Sequence, residues 1–133
     1  MQGLSHITFI VRDLERMATF LCEGLGGTEV YDSSPKNFSI SREKFFLLGG
    51  VWIAAMQGNP PAERSYQHTA FKIGTHEIAA FKDRLLSLGV EIKTPRARVE
   101  GEGESLYFYD FDNHLFELHT GTLEERLRRY SEK

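Results

Sequence analysis

Two stretches of the chain repeat one order of polar and apolar positions. Ser5-His6-Ile7-Thr8-Phe9-Ile10-Val11 and Gln67-His68-Thr69-Ala70-Phe71-Lys72-Ile73 each place a phenylalanine three residues after a histidine and an aliphatic residue two further on. His68 lies 62 residues beyond His6. Both stretches are short and rich in β-branched and aromatic residues, which predicts strands. A helical period follows each. Leu14, Met17, Leu21 and Leu25 form one apolar stripe, with Asp13 as its cap and Gly26-Gly27 as its stop. Ile78, Phe81, Leu85 and Leu88 form the other, with Thr75 as cap. Gly89 is its stop, again 62 residues beyond Gly27.

Strands resume at Glu29-Val30-Tyr31 and Glu91-Ile92-Lys93. Two more close each half. In the first they are 38–40 with 44–48, then 51–56 after the Gly49-Gly50 turn. In the second they are 105–109 and 114–119, joined by Asp110-Phe111-Asp112-Asn113. The predicted order is β-α-β-β-β, twice. This is an α+β fold of one domain, 1–133, with halves at about 1–58 and 63–121 joined through 57–62. A helix over 122–131 ends the chain. Thr122 and Glu125 have capping-box spacing, and Leu123, Leu127 and Tyr130 share a face.

Strand alternation sorts the polar residues. His6 and Thr8 share a face, as do Tyr66, His68 and Ala70, and Leu115, Glu117 and His119. The repeat puts His6 and His68 at matching positions. If the sheets curl around a shared cavity, both imidazoles point into it. Glu117 stands on a strand of leucine and phenylalanine, where an unpaired carboxylate would cost several kcal/mol, so it calls for a cation. Two histidines and one carboxylate leave coordination positions open and suit Mn²⁺, Fe²⁺ or Zn²⁺. The first half has no matching glutamate; Trp52 to Met56 stand there instead. Three protein ligands are expected. His76 and His114 read as solvated and turn residues, and His119 as a neighbour of Glu117.

Net charge narrows the partners. At −3 the chain lacks the basic surface that nucleic-acid binding needs. No apolar run approaches the ~18 residues of a membrane span, and the first residues do not read as a secretory leader. With the single cysteine, Cys22, no internal disulfide can form, so a cytoplasmic protein is expected.

The doubled plan with paired strand histidines resembles the vicinal oxygen chelate superfamily. Within it, Gly3-Leu4-Ser5-His6-Ile7-Thr8, Glu43-Lys44-Phe45-Phe46-Leu47 and the run over 100–119 are similar to fosfomycin-resistance proteins. Gly121-Thr122-Leu123-Glu124-Glu125-Arg126-Leu127 and the residues after it resemble the FosX branch especially. The resemblance covers nearly the whole chain. It implies a metal-dependent hydrolase that opens the fosfomycin epoxide with water and confers antibiotic resistance. His6, His68 and Glu117 match the family's ligands, usually for Mn²⁺. Thr8, Ser105, Tyr107 and Arg126 match positions around the phosphonate, and Trp52 matches an aromatic wall. Tyr66, on the His68 face, joins these substrate contacts. Glu43 matches the general base of the FosX branch. The thiol-transferring relatives hold the phosphonate with a lysine; here Arg98 or Arg96 would replace it, with Arg98 preferred. Family dimers build each cavity from two chains, so His6 would act with the partner's His68 and Glu117. The rival readings are a thiol (glutathione) transferase on the same epoxide, another metal enzyme of this scaffold, and a drug-binding protein without turnover.

Overall fold

The computed structural model describes residues 1–36, 40–93 and 103–132. The first half runs β1 (His6–Val11), α1 (Leu14–Thr19), β2 (Thr28–Asp32), β3 (Glu43–Leu48) and β4 (Val51–Gln57). The second runs β5 (His68–Lys72), α2 (Ile78–Ser87), β6 (Ile92–Lys93), β7 (Ser105–Tyr109) and β8 (Leu115–His119), followed by α3 (Leu123–Ser131). Each half makes a four-stranded mixed sheet, ordered β1-β4-β3-β2 and β5-β8-β7-β6. In both, the first strand is parallel to the last and the others are antiparallel.

Local chemistry explains most boundaries. Asp13 caps α1 by accepting from the backbone of Glu15 and Arg16. The helix then widens into a π-helical turn over Phe20–Gly24. It stops where Gly26 takes a φ of 76°, which a side chain would resist. In the second half the expected cap moves. Thr75 begins a 3₁₀ turn, Thr75–Glu77, and α2 starts only at Ile78. The Glu77 carboxylate instead accepts from Gly74 N at 3.2 Å. Thr122 caps α3 through Glu125 N, as its spacing predicted. Of the expected strand segment over 38–40, residues 38 and 39 lie outside the described residues, and Ile40 is outside any strand.

One core serves both halves. Phe9, Phe46 and Ile53 of the first sheet and Phe108, Phe116 and Leu118 of the second are buried around Leu14, Met17, Phe20 and Leu21. Phe116 is at its centre, with ring centroids 5.1 Å from Phe9 and 5.3 Å from Phe20. All these strand residues lie on the faces opposite the histidines. The joining segment is docked on the second sheet. Arg64 pairs with Glu91 at 3.1 Å and covers the Tyr109 ring, and Asn113 donates to Pro61 O. The stripe of α3 finds no such cover: Leu123, Leu127 and Tyr130 are exposed.

A charge cluster seals the core beside β3. Lys44 is 4% exposed, and its ammonium lies 2.8 Å from Glu29, 3.2 Å from Glu15 and 3.5 Å from Asp32. Arg42 joins from Glu15 and Asp32. Burial alone would push Lys44 down, but its hydrogen bonds to Glu29 and Glu15 hold it above the usual lysine range. Hydrogen bonds from Arg42 and then Lys44 hold Glu15 below the usual carboxylate range. Asp32 is held low by Ser34 N and then Arg42. The depressed carboxylates stabilise the fold above about pH 4 and lose that contribution as pH falls through their lower folded values. The raised lysine keeps its contribution until pH rises past its ordinary value of about 10.4. Lys44→Met should therefore lower the melting temperature at neutral pH. It should also shrink the drop in melting temperature between about pH 6 and about pH 3, measured by circular dichroism.

Candidate metal centre

The alternation that builds the core presents the candidate site residues on the opposite faces, among apolar neighbours on the first sheet. On the first sheet, register places Leu47, Trp52 and His6 in one row. Phe45, Ala54 and Thr8 form the next, then Glu43, Met56 and Ile10. The His6 ring stacks on Trp52 with centroids 4.1 Å apart, and its Nδ1 lies 3.0 Å from Ser5 Oγ. Trp52 Nε1 is buried with no hydrogen-bond partner among the described residues. Glu43 is buried, and its backbone N donates to Ser33 Oγ at 2.9 Å.

On the second sheet, Tyr107, Glu117 and Ala70 form one row, flanked by Ser105, His119 and Lys72 and by Tyr109, Leu115 and His68. Ala70 is small, so the His68 ring can lean towards Glu117 across it. The two meet at 3.1 Å, Nε2 to Oε1. Tyr66 and Tyr107 share a hydroxyl contact of 3.3 Å, and the His68 ring packs edge-on to Tyr107. Ser105 Oγ donates to Glu117 Oε2 at 2.5 Å, and Arg126 reaches His119 at 3.3 Å. A cleft of about 320 Å³ opens over His68, Glu117, His119 and Arg126. A larger cleft of about 390 Å³ is lined by Leu25, Leu48, Val51, Phe71 and Phe81, away from this chemistry.

The donor set fits a cation. His68 Nδ1 lies 2.7 Å from Tyr66 O, which can only accept, so Nδ1 carries the proton. Nε2, the other ring nitrogen, is turned towards a carboxylate oxygen. Those two atoms are placed to share one cation between them. Glu117 is 5% exposed, so water does little to solvate it.

Thus Tyr66, His68, Ser105, Tyr107, Glu117 and Arg126 gather on one sheet, and His6, Thr8, Glu43 and Trp52 on the other. Within one chain His6 does not join His68 and Glu117. Among the described residues no three His, Cys, Asp or Glu side chains are placed to hold a metal ion. Arg96 and Arg98 lie outside the described residues. His119 was visible from the sequence only as a same-face neighbour of Glu117. Its link to Arg126 depends on how α3 packs, which strand parity does not reveal. His114, expected simply to follow a turn, binds Asp110 Oδ2 at 2.7 Å and so helps hold the β7–β8 turn.

Residues 3–118 match the model of the Glyoxalase/Bleomycin resistance protein/Dioxygenase superfamily. The fosfomycin resistance protein FosX of Listeria monocytogenes is 58% identical over 130 residues, covering 98% of each chain. FosX of Mesorhizobium japonicum is 59% identical, over 96% of this chain and 92% of its own. A solved variant of the Listeria protein superposes with a TM-score of 0.88 at 52% identity, covering 98% of both chains. It is complexed with Mn(II) and 1S,2S-dihydroxypropylphosphonic acid. The chain belongs to the Glyoxalase/Bleomycin resistance protein/Dioxygenase superfamily and, within it, to the FosX group of fosfomycin resistance proteins.

Proposed function

We propose that this chain is a manganese-dependent epoxide hydrolase that adds water to fosfomycin, giving a diol phosphonate and antibiotic resistance. The observation that carries the reading is the His68–Glu117 pair, a half-buried imidazole 3.1 Å from a buried carboxylate at the floor of a cleft. The Mn(II) and dihydroxy phosphonate held by the Listeria relative supply the matching chemistry. His68 and Glu117 hold the ion, with His6 as third ligand. Bound there, Mn²⁺ acts as a Lewis acid on the epoxide oxygen.

The chain's own residues do the rest. Glu43 accepts a proton from the attacking water, a contribution of about 10²–10⁴ in rate for a well-placed base. The water oxygen bonds to the carbon bearing the phosphonate, and that carbon's bond to the epoxide oxygen breaks. The electron pair stays on the epoxide oxygen, which takes a proton from solvent. Thr8 and Tyr107 orient substrate oxygens. Arg126, Ser105 and one of Arg96 and Arg98, with Arg98 preferred, hold the phosphonate. Trp52 and Tyr66 wall the cavity, and the orphaned Trp52 N–H awaits an acceptor.

The active unit is a homodimer in which the first half of one chain faces the second half of the other. His6 and His68 both lie on strands at the open edge of their sheets, β1 and β5. An unpaired edge invites a neighbour. Leu47 is exposed on the His6 face, and Leu4 and Tyr66 are exposed nearby in sequence to the two histidines. The reaction belongs in the cytoplasm, in keeping with one free cysteine. No described helix is long and apolar enough to cross a membrane.

Three outcomes test this. Phosphorus NMR of protein, Mn²⁺ and fosfomycin in thiol-free buffer should show a diol phosphonate, and chelation should stop its formation until Mn²⁺ returns. A product that forms only with added thiol would make the enzyme a transferase. Glu43→Gln should retain Mn²⁺ and lose at least about tenfold in turnover. His6→Ala and His68→Ala should each be inactive alone. Subunit exchange between them should restore about a quarter of the wild-type sites, because each mixed dimer keeps one intact site. Continued inactivity of demonstrably mixed dimers would sink the shared cavity.

A further inference from the structure

Behind Glu117 runs a chain of hydrogen bonds whose direction follows from Arg126 at its far end. Arg126 can only donate, so its contact of 3.3 Å with His119 makes Nε2 of that ring an acceptor. Nδ1 is then the ring's donor, and it lies 2.7 Å from Ser105 Oγ. Ser105 accepts there and sends its own proton to Glu117 Oε2 at 2.5 Å. The same Nδ1 lies 3.4 Å from Glu117 Oε2, so the ring also sits directly against the carboxylate. The backbone holds the geometry as well. Ser105 and His119 are register partners on β7 and β8. Just before them Gly103 presses on Gly121 so closely that a Cβ would sit 2.6 Å from Gly121 N.

We propose that His119 is a positioning residue for the metal centre. Through Ser105 it fixes Glu117 Oε2, which leaves Oε1 aimed at His68 Nε2. At its other nitrogen it holds Arg126 beside the site before a phosphonate arrives. The site thus binds its cation with a carboxylate already oriented, and its anion with an arginine already in place. This rests on the reading of His68 and Glu117 as metal ligands. Outer contacts of this kind are worth about 10–100-fold in metal affinity.

The test is Mn²⁺ affinity, measured by the electron paramagnetic resonance of free Mn²⁺ during titration of the full-length dimer at fixed pH. His119→Leu should weaken binding by about tenfold or more. His119→Asn, whose amide nitrogen can donate to Ser105 from near the Nδ1 position, should return to within about threefold of wild type. His119→Gln, whose amide lies nearer the Nε2 position, should remain weak. That ordering separates positioning from bulk. If His119→Leu fails to fold, the contrast between the two amide variants decides alone. Equal affinity in His119→Leu and wild type would overturn the proposal, as would equal affinity in the asparagine and glutamine variants. Wild-type protein that binds no Mn²⁺ would instead remove the metal site itself, a separate failure.

Discussion

The period-two alternation of the strands is the constraint on which the molecule depends. Each strand near the site gives one side to a core of phenylalanine and leucine and the other to polar chemistry. Phe9, Ile53, Phe116 and Leu118 are all buried on the inner side. His6, Thr8, Glu117 and Tyr107 must then lie on the outer one. Slipping one strand by a single residue would put an imidazole into the aromatic core and a phenylalanine into the cleft, at a cost of several kcal/mol. The core thereby specifies the site. The packing that makes the fold stable is the same packing that holds the candidate ligands His6, His68 and Glu117 on the opposite faces.

Within one chain the same division keeps His6 apart from His68 and Glu117, so that no three His, Cys, Asp or Glu side chains among the described residues meet. The two sheets spend their apolar faces on one shared core, so their polar faces turn away from it. The open edges of β1 and β5 carry one histidine each. Pairing with a second copy would satisfy those edges and bring complementary half-sites together. In the proposed dimer, dimerisation and metal binding would be one event, with the cation linking residues of both chains.

How much of this was legible in the sequence follows from which forces are local. The repeat, the Asp13 and Thr122 caps, the faces of His68 and Glu117 and the aromatic core all depend on neighbours within a few residues, and their patterns were readable. Thr75 misled because a threonine before an apolar stripe looks like a cap, whereas Glu77 reaches back to Gly74 and delays the helix by one 3₁₀ turn. The Lys44 cluster was not legible. Its partners Glu15, Glu29 and Asp32 come from two other elements, and only the tertiary fold assembles them. Nor was the fate of the α3 stripe, which is amphipathic by pattern yet uncovered in the chain.

The position of Glu43 shows how these layers meet. Its neighbours Arg42 and Lys44 are tied to Glu15 and Asp32, with Lys44 also held by Glu29. Glu43 faces the other way, into the row of Met56 and Ile10 on the side of His6 and Thr8. A charge pinned on each side of it leaves β3 little freedom to twist, and its backbone is further fixed by Ser33. A general base works only within a narrow range of distances and angles. Here an ion cluster around the buried Lys44 supplies the rigidity that the proposed base on the opposite face would require.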